Sequence, residues 1–488
     1  MENVKLKTKN ILKLLIFASL FSTFALAQQT PPAPSAPKSA AIPAVKETKL
    51  ANGLRVAVIE RKGVPIVTAE VLTLSGASNE AESKAGLANL TASLLTKGTK
   101  TRTATQIAEE IEFLGGSISS AAGWNNSVLV INSMSDKLDK AMAVMADVAL
   151  NPAFKPEEID LLKSQTLDGL TYNLKQPGFL SSYVASKYSF GEHPAGGTPE
   201  SVKSITKAEI ADFYRKNYLP NNSVLIFAGD ISLAKAKILA QKYFGTWKRV
   251  ELAKAIGSSS IREPLEEKPP IVDKILVVDL PNSGQSAVSY AKRVLWGRTS
   301  QTPLYFPSLV MNSVLGGGYS SRLNQEIRIK RGLSYGAGSS FSWRSSVHNF
   351  RASAQTKDVS AAEVAELVVK EVERLATEDV GENELIPRKQ VLIGNFNRNL
   401  ETTGGIVNAV GELYSLGVST RELNQYVSNV SGVMADDVKL YAFTNVNHGD
   451  IIIAGDYAKF KDDLAKRFPN MKIEVVKADG LDLSKLGQ

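Results

Sequence analysis

The side chains that could bind a catalytic metal ion are few in this sequence. The chain has no cysteine and only three histidines, His193, His348 and His448, spread over more than half of its length. None has a second histidine within four residues, so no local pair of metal ligands can form. We expect each histidine to face solvent or to make a single hydrogen bond. A hydrolytic zinc site built wholly from this chain is therefore not expected.

A predicted helix at residues 86–97 carries small side chains where a metal site would need ligands. Its leucines recur at helical spacing and form one apolar stripe. Beside this stripe, Asn89, Ala92 and Ser93 lie at i, i+3 and i+4 and so share one face. A catalytic zinc needs about three imidazole, thiolate or carboxylate ligands, and this face supplies none of them. Taken alone, the segment is a packed helix with a small polar face toward solvent.

The same helix resembles the zinc helix of the pitrilysin/insulinase (inverzincin) metallopeptidases, which carry the inverted motif His-x-x-Glu-His. The flanking residues 86–88, Gly-Leu-Ala, and 97–99, Lys-Gly-Thr, carry the resemblance, and Asn89, Ala92 and Ser93 occupy the motif positions. The resemblance therefore implies a family member whose metal site has been lost.

The family's third zinc ligand is a carboxylate on a later helix. Asp160 is the nearest candidate in this sequence, and we expect its side chain to be exposed to solvent. One carboxylate without two imidazoles does not make a site. The resemblance thus implies no metal cofactor in this chain.

A second family signature lies in the other half of the sequence. It begins with Gly316, Gly317 and Gly318 and continues to Arg328 and Tyr335. In this family an arginine and a tyrosine seven residues apart face the zinc site from the second half of the molecule. The resemblance implies that the glycines bind substrate, that Arg328 donates to a peptide carbonyl and that Tyr335 donates to the developing oxyanion. The alternative is a buried salt bridge for Arg328 and core packing for Tyr335.

An internal repeat with a period of about 226 residues indicates two related halves. The strand at 224–230, Val-Leu-Ile-Phe-Ala-Gly-Asp, recurs at 451–456 as Ile-Ile-Ile-Ala-Gly-Asp. Upstream of each copy, a helix, Ser-rich strands and a long amphipathic helix follow in the same order. The predicted fold class is α+β, with two homologous domains that each pack helices on a mostly antiparallel sheet. The half-clam proteins of the short bacterial and mitochondrial-processing-peptidase-like branch of the family are built this way.

Composition divides the chain into five predicted segments. These are a signal peptide at 1–27, a Pro/Ala-rich tether at 28–47, an N-terminal domain at 48–250 with the lost zinc motif, a linker at 251–270 and a C-terminal domain at 271–488 with the Arg/Tyr pair.

The first 27 residues have the pattern of a secretory signal. A lysine-rich start precedes an apolar run from Leu14 to Phe24, and the segment 25–27, Ala-Leu-Ala, fits a cleavage site after Ala27. The run is short for a membrane span, although an uncleaved anchor is the alternative. We therefore expect an exported, periplasmic protein with no stable membrane span in its mature form.

The net charge gives no sign of a nucleic-acid partner. The formal charge of +8 falls to about +5 once the lysines and the glutamate of the signal segment are removed, and no dense block of Lys and Arg remains.

These observations predict a zinc-free, substrate-binding subunit of an exported heterodimeric zinc peptidase. Its expected partners are a related zinc-bearing chain and peptide substrates, which in this family add as a strand to an exposed sheet edge. We expect no cleavage by the chain alone. An inactive scaffold or peptide-binding protein is the first alternative, and a peptidase with an unusual metal site is the second. The presence of Tyr335 favours the hypothesis of a peptidase subunit, because a scaffold protein does not need an oxyanion donor.

Overall fold

The computed structural model describes residues 43–250, 274–295, 297–298, 304–345 and 347–486. The described residues form one compact unit. The predicted signal peptide, the predicted linker at 251–270 and most of the tether lie outside them. The first strand begins at Lys46, so the end of the tether was predicted slightly too late. Within the described part, no helix has the length and apolar character that crossing a membrane requires.

The first half contains one sheet and eight helices of six or more residues among its described residues. Its strands are β1 (Lys46–Lys49), β2 (Arg55–Glu60), β3 (Ile66–Thr73), β4 (Ser117–Ala122), β5 (Ser127–Met134) and β6 (Ser223–Gly229). Its helices are α1 (Leu87–Leu95), α2 (Ala104–Phe113), α3 (Leu138–Leu150), α4 (Pro156–Asn173), α5 (Pro177–Tyr188), α6 (Pro199–Ser204), α7 (Lys207–Asn217) and α8 (Leu233–Phe244).

The second half repeats this plan. Its strands are β7 (Lys274–Asp279), β8 (Gln285–Val294), β9 (Ala337–Ser342), β10 (His348–Lys357), β11 (Asp450–Gly455) and β12 (Lys472–Lys477). Its α-helices are α9 (Tyr305–Leu315), α10 (Ala361–Thr377), α11 (Glu382–Asn399), α12 (Thr403–Ser415), α13 (Glu422–Gly432), α14 (Ala435–Tyr441) and α15 (Lys461–Arg467). The chain also forms a wider π-helical turn at Asn324–Ile329.

The two sheets share five strands in one order. The first sheet runs β1-β2-β6-β3-β5-β4 and the second runs β12-β7-β11-β8-β10-β9. In each sheet one central pair is parallel, β2 with β6 and β7 with β11, and the strands that follow are antiparallel. The sheets differ at one edge, where β1 pairs antiparallel with β2 while β12 pairs parallel with β7. The predicted α+β class, with helices packed on mostly antiparallel sheets, is confirmed.

The burial of each strand follows its place in the sheet. The central strands β6 and β11 are buried at every residue, because helices cover both faces of the sheet there. The edge strand β4 instead alternates exposed and half-buried residues. Its serines and alanines therefore leave one strand edge accessible beside α1, which packs next to it.

Each half contributes a helix to the core of the other half. Helix α5 of the first half packs its apolar face on β7, β8 and β11, and helix α12 of the second half packs on β2, β3 and β6. Hydroxyl pairs join the same surfaces, with Ser181 Oγ 2.6 Å from Ser289 Oγ and Thr68 Oγ1 2.7 Å from Thr403 Oγ1. Separating the halves would expose both apolar faces, so this packing holds the two halves together.

Candidate functional site

Helix α1 is held by its leucines, and the three lost motif positions differ in burial. Leu87, Leu90 and Leu94 are buried in the core, as their spacing predicted. Ala92 is 0% exposed, whereas the neighbouring motif positions are only half-buried. The predicted outward face is therefore wrong at Ala92. At this position the helix faces the protein interior rather than solvent.

A buried carboxylate holds the start of α1. Glu80 has no side-chain exposure, and it accepts hydrogen bonds from Gly86 N at 2.8 Å and from Ala88 N at 2.6 Å. An acid at a helix N-terminus satisfies free N–H groups and complements the helix dipole. His193 Nε2 lies 3.0 Å from the same carboxylate, and its ring lies 5.0 Å from that of Trp124. His193 thus makes one side-chain hydrogen bond, as expected.

The other two histidines also take structural positions. His348 is buried, and its Nδ1 accepts a hydrogen bond from the Arg344 backbone N–H at 3.2 Å. Burial, together with the nearby Arg344 charge, lowers the pKa of His348 to about 4, so the ring is neutral near pH 7. His448 is exposed in a turn. Asp160 is exposed on α4, as expected. In the part of the chain that the structure describes, no three His, Cys, Asp or Glu residues stand together as a group able to hold a metal ion.

The glycine loop between α9 and the π-helical turn needs two of its three glycines for packing. A Cβ on Gly316 would lie 2.2 Å from Ser339 N of strand β9, and a Cβ on Gly317 would lie 2.6 Å from Ser313 Cα. Gly318 differs, because its nearest neighbour would be Arg388 Nη1 at 3.8 Å, an ordinary contact distance. The loop thus rests against β9 at Gly316 and against α9 at Gly317, and it stays open above Arg388.

Arg328 stacks on the residue that follows these glycines. Its guanidinium carbon lies 4.9 Å from the centre of the Tyr319 ring, a cation–π distance. The carboxylate in the same turn, Glu326, pairs with Lys330 and Arg331 instead. Arg328 is half-buried and makes no ion pair with any described residue. The alternative of a buried salt bridge for Arg328 is therefore wrong.

Tyr335 lies just before strand β9 and is 95% exposed. The alternative of core packing for Tyr335 is therefore wrong as well. The glycine loop, Arg328 and Tyr335 all adjoin the start of β9, through Ser339 for the loop and through chain position for Tyr335. No hydrogen bond or ion pair among the described residues joins this group to the lost motif on α1.

Sequence reasoning missed two side chains of this region. Tyr319 supports Arg328, and its only sequence signal is its position directly after the three glycines. Arg388, beneath Gly318, lies on α11, and its distance along the chain gave no signal.

The chain has two repeated α+β halves. One half carries a helix without the zinc-binding residues, and the other carries the Arg/Tyr pair. These features define a chain of the metallopeptidase half-clam class. Comparison with known families identifies the group. Residues 55–177 match the insulinase family, peptidase family M16, and residues 204–392 match the M16 inactive domain. The chain belongs to this family.

Relatives of similar length agree with this assignment. A protein of Rickettsia felis named as an uncharacterized zinc protease is 29% identical over 80% of this chain and 92% of its own length. One of the same description from Streptomyces coelicolor is 25% identical over 82% of this chain and 86% of its own length.

Solved structures share the fold. The peptidase M16 inactive domain from Pseudomonas fluorescens superposes with a TM-score of 0.75 at 24% identity, covering 84% of this chain and 98% of its own. A protease from Helicobacter pylori gives 0.76 at 20% identity, covering 85% of this chain and all of its own.

Proposed function

We propose that this protein is the zinc-free, substrate-binding subunit of an exported heterodimeric zinc metallopeptidase. It supplies Arg328 and Tyr335 to the zinc site of a related partner chain. The observation that carries the proposal is that Tyr335 is 95% exposed while Arg328 has no acidic partner among the described residues. Both polar groups are free to meet a peptide held by another chain.

The lost motif supports a role without metal. Asn89, Ala92 and Ser93 offer no imidazole or carboxylate, and the helix that carries them is stabilised by Glu80 and by apolar packing. A zinc ion is therefore not needed to hold α1 in place. The partner chain would hold zinc, which supplies a Lewis acid for peptide hydrolysis. Arg328 would orient the peptide carbonyl, and Tyr335 would donate to the oxygen on which charge develops.

Peptide binding has a natural place at the edge of the first sheet. The outer edge of β4 carries no neighbouring strand within the described residues, and Ser117, Ser119 and Ala121 are exposed along it. A peptide that adds there as a further strand gains main-chain hydrogen bonds with little demand on its sequence. Broad peptide specificity follows from this mode of binding.

The test pairs activity with stability in the reconstituted complex. The partner is a related chain from the same organism with an intact His-x-x-Glu-His motif. Tyr335→Phe should leave the melting temperature and assembly unchanged and lower turnover by about 10²–10³, the usual effect of losing one oxyanion donor. Arg328→Ala should weaken both peptide binding and turnover, because a charged donor is lost.

Arg331→Ala is the matched control, since Arg331 lies near Arg328 but pairs with Glu326. It should leave turnover close to that of the wild type. Normal turnover in both the Tyr335 and the Arg328 variants would place the pair outside the catalytic site. The inactive-scaffold alternative would then be favoured.

A further inference from the structure

Arg388 is a buried arginine without an acidic partner. Its side chain is 5% exposed on α11, beneath the glycine loop. It makes no side-chain hydrogen bond or ion pair with any described residue, and Nη1 is the nearest atom to the space above Gly318. The guanidinium nitrogens keep some contact with solvent, but an arginine with so little exposure normally has a charged partner.

The acidic residue nearest to Arg388 on the same helix, Glu384, pairs with another arginine. Glu384 precedes Arg388 by four residues on the same helix, the spacing at which such side chains ordinarily pair. Both Glu384 oxygens instead accept hydrogen bonds from Arg322, at 2.9 to 3.2 Å. Arg374, a third cation of this region, pairs with Glu371 and Glu378. Glu384 therefore acts on Arg388 only at longer range, and no carboxylate among the described residues forms an ion pair with Arg388.

The loop above Arg388 presents unused donors. The backbone N–H groups of residues 317–320 donate no hydrogen bond to any described residue, and these residues are exposed. Tyr319 of the same loop contacts a second guanidinium without an ion pair among the described residues, that of Arg328. The loop between residues 316 and 321 is therefore flanked by two arginines that have no carboxylate.

We infer that Arg388 and the N–H groups of residues 317–320 form a binding site for a carboxylate of the bound peptide. A guanidinium and nearby unused N–H donors suit the planar shape and the charge of a carboxylate. The carboxylate is either the C-terminus of the peptide or the side chain of an Asp or Glu. This inference rests on the proposed function and makes it more specific, because it predicts a preference for peptides that carry such a group.

The test measures binding of labelled octapeptides of Ala, Ser and Val to the purified chain by fluorescence anisotropy. One peptide has a free C-terminal carboxylate and its match has a C-terminal amide. A second matched pair, both amidated, carries one central Glu or Gln. We expect one carboxylate form to bind about 10- to 100-fold more tightly than its neutral match, and the pair that shows the difference identifies the source of the carboxylate.

Two variants test the residues, with a control of equal charge change. Arg388→Met should abolish the preference while keeping the volume of the side chain. Gly318→Val should also abolish it by filling the space above Nη1, and its exposed position carries little risk to folding. Arg374→Gln removes one positive charge from the same region but from a paired arginine, and it should keep the preference.

The outcomes separate the two proposals. Equal binding of every matched pair by the wild type, or a preference that survives both Arg388→Met and Gly318→Val, would overturn the carboxylate site alone. A wild-type chain that binds none of the four peptides would overturn the proposed substrate-binding function as well.

Discussion

Gly411 of helix α12 meets Glu70 of strand β3 so closely that a Cβ atom on the glycine would stand 2.8 Å from Glu70 Oε1. The two residues come from different halves of the chain. Glu70 is 2% exposed, and burial raises its pKa to about 8. This contact of α12 with the first sheet therefore lies over a carboxyl group that stays protonated at neutral pH.

Gly411→Ala should destabilise the protein, because the added methyl group would force the buried carboxyl group of Glu70 to shift. Overpacking of this kind costs about 1–3 kcal/mol. Urea unfolding of the full chain measures the change. Gly404→Ala on the same helix is the control, since its Cβ would meet open space and should be neutral or stabilising by up to ~1 kcal/mol. Equal stability of the two variants would contradict the close packing.

Glu70→Gln should change how stability depends on pH. The folded pKa of about 8 lies above the unfolded value of 4.5, so the folded state holds the proton more tightly. This stabilisation is fully present below about pH 4.5 and is lost as the pH rises toward 8, at up to about 1.4 kcal/mol per unit. Asp450, whose pKa is raised to about 6, acts in the same direction at lower pH. Unfolding free energies between pH 6 and 8 should fall in the wild type and not in the variant.

The purified chain should hold no stoichiometric zinc and cleave no peptide alone. The reason is that Asn89, Ala92 and Ser93 stand where ligands and a general base are required. Elemental analysis and a cleavage assay with and without chelator measure this. About one tightly held zinc per chain, or chelator-sensitive cleavage in a preparation free of other peptidases, would falsify it.

Restoring the acidic motif residue should harm the fold. Ala92→Glu places a carboxylate at a position with 0% exposure. The expected loss is a few kcal/mol, from overpacking and burial of a polar group. Ser93→Glu is the control, because Ser93 is half-buried and offers a route to solvent. A melting temperature unaffected by Ala92→Glu would show that the helix can move outward.

Tyr319 should act as a positioning residue for Arg328. Tyr319→Phe keeps an aromatic face beneath the guanidinium and should preserve turnover of the complex, whereas Tyr319→Leu removes it. The lost cation–π contact corresponds to about 0.5–2 kcal/mol, and we expect the change in KM for peptide rather than in stability. Equal kinetics of the Phe and Leu variants would exclude this role.

The sequence predicted the repeat, the α+β class and the exposed Asp160, because apolar periodicity and strand endings are local patterns. It did not predict the burial of Ala92, which depends on helices packed from distant parts of the chain. Arg388 was missed for a related reason. Arg388 has no ion pair because Glu384 pairs with Arg322 instead, and only the three-dimensional structure shows this pairing.

Helices α5 and α12 each pack on the sheet of the other half. The core of the first half therefore cannot be completed during synthesis until α12 has been made. Strand β6 ends at Gly229, and α12, which covers the same sheet, begins at Thr403. At 5–20 residues per second, synthesis of the intervening segment takes roughly 10–35 s. During that interval the apolar face of the first sheet has no cover from its own chain. A nascent chain of this design is therefore a natural client for holding chaperones until its last third has been made.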